Sequence, residues 1–146
     1  MIGTNAPASK ARDRVLSDGE LAEVWRSAPD DDYGRIVKLL ILTGQRRGEV
    51  AGMRRSELGD LDEATWRMPA ARTKNGLPHD VPLGPTAVAI IEALPRHAER
   101  NLLFGQGKNG LAGWGKPKLD LDGRIAAARK KARAKEQMPP FVVHDL

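Results

Sequence analysis

The stretch Leu39-Leu40-Ile41-Leu42-Thr43-Gly44-Gln45-Arg46-Arg47-Gly48-Glu49-Val50-Ala51-Gly52-Met53 constrains the chain more than any other. An apolar run stops at Thr43-Gly44, and two arginines follow at once. The run reads as the end of a helix starting near Tyr33, whose only polar residues are Arg35 and Lys38, so protein should cover it on most sides. Gly44 can take the left-handed conformation that closes such a helix. A second short helix can begin near Gln45, with Arg46, Glu49, Val50 and Met53 at spacings of three and four on one face. An arginine on a face that also carries buried residues is costly unless an anion meets it. Glu49 is the local carboxylate, and a phosphate is the external candidate.

The remaining composition fits a globular chain. At 146 residues it is long enough for one domain with its own core, with 40% hydrophobic and 29% charged residues. No apolar run approaches the roughly 20 residues of a membrane span, and the start shows no secretory signal. Without cysteine there are no disulfides and no thiolate metal sites, and this composition suits a cytoplasmic protein. The net charge of +5 favours a polyanionic partner, provided the positive charge gathers on one face.

Residues 1–15 are polar and small, with Lys10, Arg12 and Arg14 alternating, and read as an arm or linker; residues 16–146 read as the folded domain. Ser17-Asp18-Gly19-Glu20 is a capping box, and Leu16 before it is placed to pack on Leu21. Asp30-Asp31-Asp32 caps the long apolar helix. From Thr65 the period changes to two: Trp66 and Met68 alternate with Thr65 and Arg67, as in a half-buried strand that ends at Pro69. Asn75-Gly76 between two extended arms predicts a hairpin with a type I′ turn, and Lys74 would project from its tip. Pro85 opens another helix. Leu102-Leu103-Phe104 reads as a short buried strand or turn. The glycine-rich loop from Gly105 to Gly115 forms no nucleotide fingerprint, because no βαβ pattern surrounds it. A helix from Lys118 to about Lys135 should bury Leu119, Leu121 and Ile125. Its later part carries Arg124, Arg129, Lys130, Lys131, Arg133 and Lys135 with no acidic residue, which reads as a phosphate-facing stripe. The paired Arg54 and Arg55 read as further phosphate contacts. No motif supports a metal or any other cofactor.

Three landmarks in order resemble the tyrosine recombinases, the phage integrase family. Thr43-Gly44-Gln45-Arg46-Arg47-Gly48-Glu49 is similar to that family's first arginine motif. A lysine at a hairpin tip follows, here Lys74, and the returning strand ends in Val81-Pro82-Leu83. The final residues, His144-Asp145-Leu146, are similar to the start of the second motif, His-x-x-Arg.

The resemblance implies a mainly helical α+β fold: an integrase-like catalytic domain fragment with a small three-stranded antiparallel sheet. It implies a site-specific DNA recombinase that breaks and rejoins double-stranded DNA through a phosphotyrosyl intermediate, with self-association on DNA in the full-length protein and no membrane partner. Arg46 would stabilise charge on the scissile phosphate, Lys74 would protonate the leaving 5′-oxygen, and His144 would assist proton transfer or hold the phosphate. Glu49 would support this shell by pairing with a basic residue. Arg47, Arg54, Arg55, Arg72, Arg129, Lys130 and Arg133 are the expected DNA contacts. No second arginine follows His144-Asp145-Leu146, and the sole tyrosine, Tyr33, lies in a core helix. The isolated chain is therefore expected to be inactive in strand cleavage. A non-catalytic DNA-binding remnant and a basic protein-interaction domain are the alternatives.

Overall fold

The computed structural model describes residues 15–96, 99–106, 110–132, 134, 136–143 and 146. Residues 1–14 of the expected arm, Arg133 and His144 lie outside the described residues. The elements are α1 (Asp18–Ser27), α2 (Asp32–Thr43), α3 (Arg47–Ala51), a 3-10 turn (Arg55–Glu57), β1 (Thr65–Met68), a second 3-10 turn (Ala70–Arg72), β2 (His79–Pro82), α4 (Pro85–Glu92) and α5 (Gly115–Lys131). The architecture is mixed α+β and mainly helical.

Local chemistry sets the helix boundaries. At α1 the capping box is complete: the Glu20 amide donates to Ser17 Oγ at 3.1 Å, and the Ser17 amide donates to Glu20 Oε1 at 2.8 Å. At α2 the cap is Asp31, whose Oδ1 accepts the Gly34 amide at 2.9 Å. Gly44 closes α2 at φ 69°, with its amide on the Leu40 carbonyl. Pro85 occupies the first turn of α4.

Helix α2 is the central element, contacting α1, α3 and α4, while α5 packs on α1. Tyr33, Ile36, Val37, Leu39 and Leu40 are buried, and Leu16, Val24, Trp66, Phe104, Leu121 and Ile125 belong to the same core. The apolar run is not covered to its end, since Leu42 is 42% exposed and Ile41 is half-buried. On α5, Leu121 and Ile125 face inward, but Leu119 is 71% exposed. This corrects the expected inner face. Lys118, Leu121, Asp122, Ile125 and Arg129 form the covered side, and Leu119 lies outside that spacing.

The sheet has two strands among the described residues, not three. β1 and β2 pair antiparallel, with Trp66 opposite Val81 and Met68 opposite His79. Trp66, Met68 and Val81 point into the core, and Arg67 and Asp80 point to water. Leu102 instead makes an isolated bridge to Arg54, and the Leu103 amide bonds to the Met53 carbonyl at 3.1 Å. The Leu102–Phe104 run is thus spent closing the segment after α3, away from the sheet.

The connection between β1 and β2 also differs from expectation. Gly76 has positive φ, at 74°, but Asn75 does not, so the turn is not type I′. Residues 69–78 form a 3-10 turn and then an irregular loop. Thr73 Oγ1 donates to the carbonyls of Ala70 and Leu77, and Asn75 Oδ1 accepts the Leu77 amide. These side-chain bonds hold the arms out of strand register.

Gly34 meets the Pro29 backbone so closely that an added Cβ would overlap the Pro29 carbonyl. Alanine has the better helix propensity, but here overpacking against rigid backbone outweighs it. Gly34→Ala is expected to destabilise the chain by more than about 3 kcal/mol in urea unfolding. A neutral or stabilising result would show that the α1–α2 turn can move aside.

Candidate nucleic-acid interface around Glu49 and Glu57

The candidate site is built on two glutamates that follow the same local plan. Arg46 precedes α3 in extended conformation, and Glu49, at the third helical position, reaches back so that its Oε1 accepts the Arg46 amide at 3.3 Å. Arg54 precedes the first 3-10 turn, and Glu57 Oε1 accepts its amide at 3.1 Å. Both glutamates are buried. A buried carboxylate must be satisfied by donors or by cations, and both demands shape this region.

Glu49 uses its second oxygen on the loop after β1: Oε2 accepts the Lys74 amide at 3.4 Å. Two residues far apart in the chain thereby share one carboxylate through their backbones. The Arg46 and Lys74 side chains are both exposed, and neither has an ion-pair partner among the described residues. Glu49 therefore supports this pair, but through main-chain amides and not by pairing with a basic side chain.

The expectation that Arg46 shares a buried face with Glu49, Val50 and Met53 is corrected. Those three are buried, whereas Arg46 is exposed. Arg46 has φ −76° and ψ 147°, outside the helix, so helical spacing does not govern where its side chain goes. The guanidinium faces water.

Glu57 was not singled out by sequence reasoning, although the Arg54-Arg55-Ser56-Glu57 repeat of the Arg46–Glu49 spacing marks it. Its carboxylate accepts the Trp66 indole N–H at 3.0 Å and Arg72 Nη2 at 2.7 Å, with Arg72 Nε on the other oxygen. Arg72 Nη2 also reaches the Glu49 carbonyl at 3.3 Å. Arg72 is thus a buckle between the β1–β2 loop and α3, largely buried, and is not turned outward as a DNA contact. Burial pushes the Glu57 carboxyl up, but the bonds from Arg72, Trp66 and the Arg54 amide outweigh it and hold it below the ordinary glutamate range.

The other expected DNA contacts divide. Arg129 makes a two-pronged pair with Glu23, at 2.7 Å for both bonds, and donates to the Glu136 carbonyl at 3.0 Å, so it ties α5 to α1. The Arg129 bond is the main reason that the Glu23 carboxyl lies below its ordinary value. Arg124, from the same basic run, donates to the Ser27 carbonyl at 3.3 Å. Arg47 stacks on the Trp114 ring at 4.7 Å, and Trp114 in turn meets Tyr33 at 6.1 Å. Arg54 and Lys130 are exposed, and Arg55 is half-buried. Among the described residues of the expected α5 stripe, Arg129 is thus committed to Glu23, whereas Arg124, Lys130 and Lys131 are exposed; Arg133 and Lys135 lie outside the described residues.

Tyr33 is 3% exposed, and its hydroxyl has no hydrogen-bond partner among the described residues. Burial first, and the Asp122 carboxylate second, push its pKa up to about 12. Such a phenol is inaccessible and hard to ionise. No group of three or more acidic or histidine side chains that could hold a metal ion occurs among the described residues. No protein-family model matches the chain, and no curated protein matches it in sequence.

Two outcomes are expected from the Glu57 cluster. Arg72→Met leaves a buried carboxylate without its cation and should cost about 3–5 kcal/mol in urea unfolding; a loss under about 1 kcal/mol would show that the pair carries little. Because the folded-state pKa of Glu57 is depressed, its contribution is present above the unfolded value, about 4.3, and is lost as pH falls through the folded value. Glu57→Gln should therefore flatten the acid limb of a stability–pH curve, and an unchanged limb would assign acid sensitivity elsewhere.

Proposed function

We propose that this chain is the phosphate-binding front part of a DNA strand-transferase catalytic domain of the tyrosine recombinase type. The observation that carries the reading is the sharing of Glu49: one buried carboxylate fixes the backbones of Arg46 and Lys74, whose exposed cations have no ion-pair partner among the described residues. This pairing agrees with the order of landmarks in Thr43–Glu49, Lys74 and His144-Asp145-Leu146.

The chemistry follows from the two side chains. The Arg46 guanidinium is always charged and offers parallel donors to two non-bridging oxygens, where charge grows as the phosphate becomes five-coordinate. The Lys74 ammonium, on an exposed loop, is a proton donor for a departing 5′-oxygen. The resemblance adds His144, which lies outside the described residues, as a third contact to the same phosphate. Attack on phosphorus needs a nucleophile, and Tyr33 is buried. On this reading the 146 residues bind and polarise a DNA phosphate without cutting the strand.

The test is a titration of a labelled DNA duplex at several salt concentrations. Affinity should fall steeply with salt, and Arg46→Ala or Lys74→Ala should each lower the slope of log K against log salt by about 0.9. Arg46→Lys should keep the slope but weaken binding, because the fork is lost. Arg67→Ala serves as a control, since Arg67 on β1 is paired with Glu63. Salt-independent binding, or tighter binding to an acidic polypeptide, would favour a protein-interaction domain. A covalent DNA adduct formed by this chain would contradict the assignment of Tyr33 to the core.

A further inference from the structure

A second concentration of arginine lies away from Glu49, where the segment after α3 meets residues 95–96 and 99–102. The two segments are zipped together. The Arg55 amide donates to the Asn101 carbonyl at 2.7 Å, the Ser56 amide to Asn101 Oδ1 at 2.9 Å, and Asn101 Nδ2 to Ser56 Oγ at 3.0 Å. The isolated bridge between Arg54 and Leu102 extends the seam. Within it, Arg55 Nη2 donates to the Pro95 carbonyl at 3.2 Å, which sets the guanidinium beside the next residue, Arg96.

Neither arginine has a carboxylate partner among the described residues. Burial, and then the Arg96 charge, lower the Arg55 pKa. Two like charges brought together repel, and a flexible surface would let them part. Here the backbone seam and the Pro95 carbonyl hold Arg55 in place, so only the exposed Arg96 side chain is free to move away. Arg100 behind the seam is already committed, donating to the carbonyls of Leu102 and Phe104 at 3.3 and 2.8 Å. An anion between Arg55 and Arg96 would remove the repulsion and gain charge-assisted hydrogen bonds from a pre-set donor.

We propose that Arg55 and Arg96 form a second anion site, separate from Arg46 and Lys74, that takes a backbone phosphate of duplex DNA. The partner rests on the DNA reading above; the anion site itself does not. Such a contact positions the duplex without reading its sequence. It would fix the angle at which DNA crosses the Glu49 site, since one phosphate contact leaves the duplex free to pivot and two do not.

The experiment uses the whole chain and two probes. With inorganic phosphate, the Arg46→Ala/Lys74→Ala double variant removes the first site. Its melting temperature should still rise in phosphate relative to chloride at equal ionic strength. That rise should vanish when Arg96→Ala is added; a rise that persists overturns the anion site. With duplex DNA, Arg96→Ala in the otherwise unchanged chain should lower the salt slope by about 0.9, equally for unrelated sequences. Arg55→Lys, which keeps the charge if the seam tolerates the shorter side chain, should lower it by less. Since Arg96 is exposed, its variant is expected to fold normally. Salt-dependent DNA binding with an unchanged slope in Arg96→Ala overturns the second contact and leaves the function reading standing. An Arg96-dependent phosphate effect with no DNA binding overturns the DNA partner, and the function reading with it.

Discussion

The Glu57 carboxylate is the group on which the region between α3 and β2 depends. A carboxylate withdrawn from water is strongly unfavourable until donors surround it. Glu57 gathers four hydrogen bonds from three directions: the amide of Arg54, the indole of Trp66 on β1, and two from the Arg72 guanidinium. Each donor belongs to a different element, so satisfying one charge sets the mutual placement of the post-α3 turn, the sheet and the β1–β2 loop. Gly52 is part of the same requirement. A Cβ there would stand 2.7 Å from Arg72 Nη1, so the guanidinium reaches its partner only past a residue with no side chain. The loop that carries Lys74 is then close enough for Glu49 to hold it by a single amide.

The structure separates arginines that build the fold from cations that face water. Arg72 and Arg129 each face a carboxylate with two-pronged geometry, and each joins separate elements. Arg46, Arg54, Lys74 and Lys130 point outward. A positive net charge alone could not separate these groups, because both count equally in composition. What separates them is desolvation: an arginine loses its water only where an acid or carbonyls take over the hydrogen bonds.

Much of the fold was legible where the determining chemistry is local. The Ser17–Glu20 box, the Asp31 cap, the Gly44 stop, the alternation through Trp66 and Met68, and the Pro85 start all depend on residues within one turn of each other. The Arg46–Glu49 spacing gave the site its supporting acid, although that acid acts on amides and not on a side chain. Several of the failures involve a partner distant in sequence. Asn75-Gly76 has the composition of a tight hairpin, but Thr73 bonds within the loop and Arg72 is drawn to Glu57. The third strand expected of the sheet does not appear among the described residues, and the buried Leu102–Phe104 run instead meets Arg54 and Met53. Leu119 fits an apolar count on α5, yet the face that meets α1 is set by Leu121, Ile125 and Arg129. Arg46 looked buried because helical spacing was extended one residue too far, into a capping position.

The pairing of Arg129 with Glu23 spans 106 positions, and joins α5 to α1. During synthesis, α1 emerges long before its partner, with Val24 and the carboxylate of Glu23 still uncovered. At about 5–20 residues per second, the interval before α5 arrives is roughly 5–20 seconds. Throughout that time α1 has α2 beside it but not α5, and the complete core cannot close. The Ser17 cap and the tight Gly34–Pro29 turn act over short range, so they can hold α1 and α2 as a hairpin while the ribosome finishes the rest. The ion pair is then a late latch, and its loss would be felt most in how long the nascent chain stays vulnerable to proteases and aggregation.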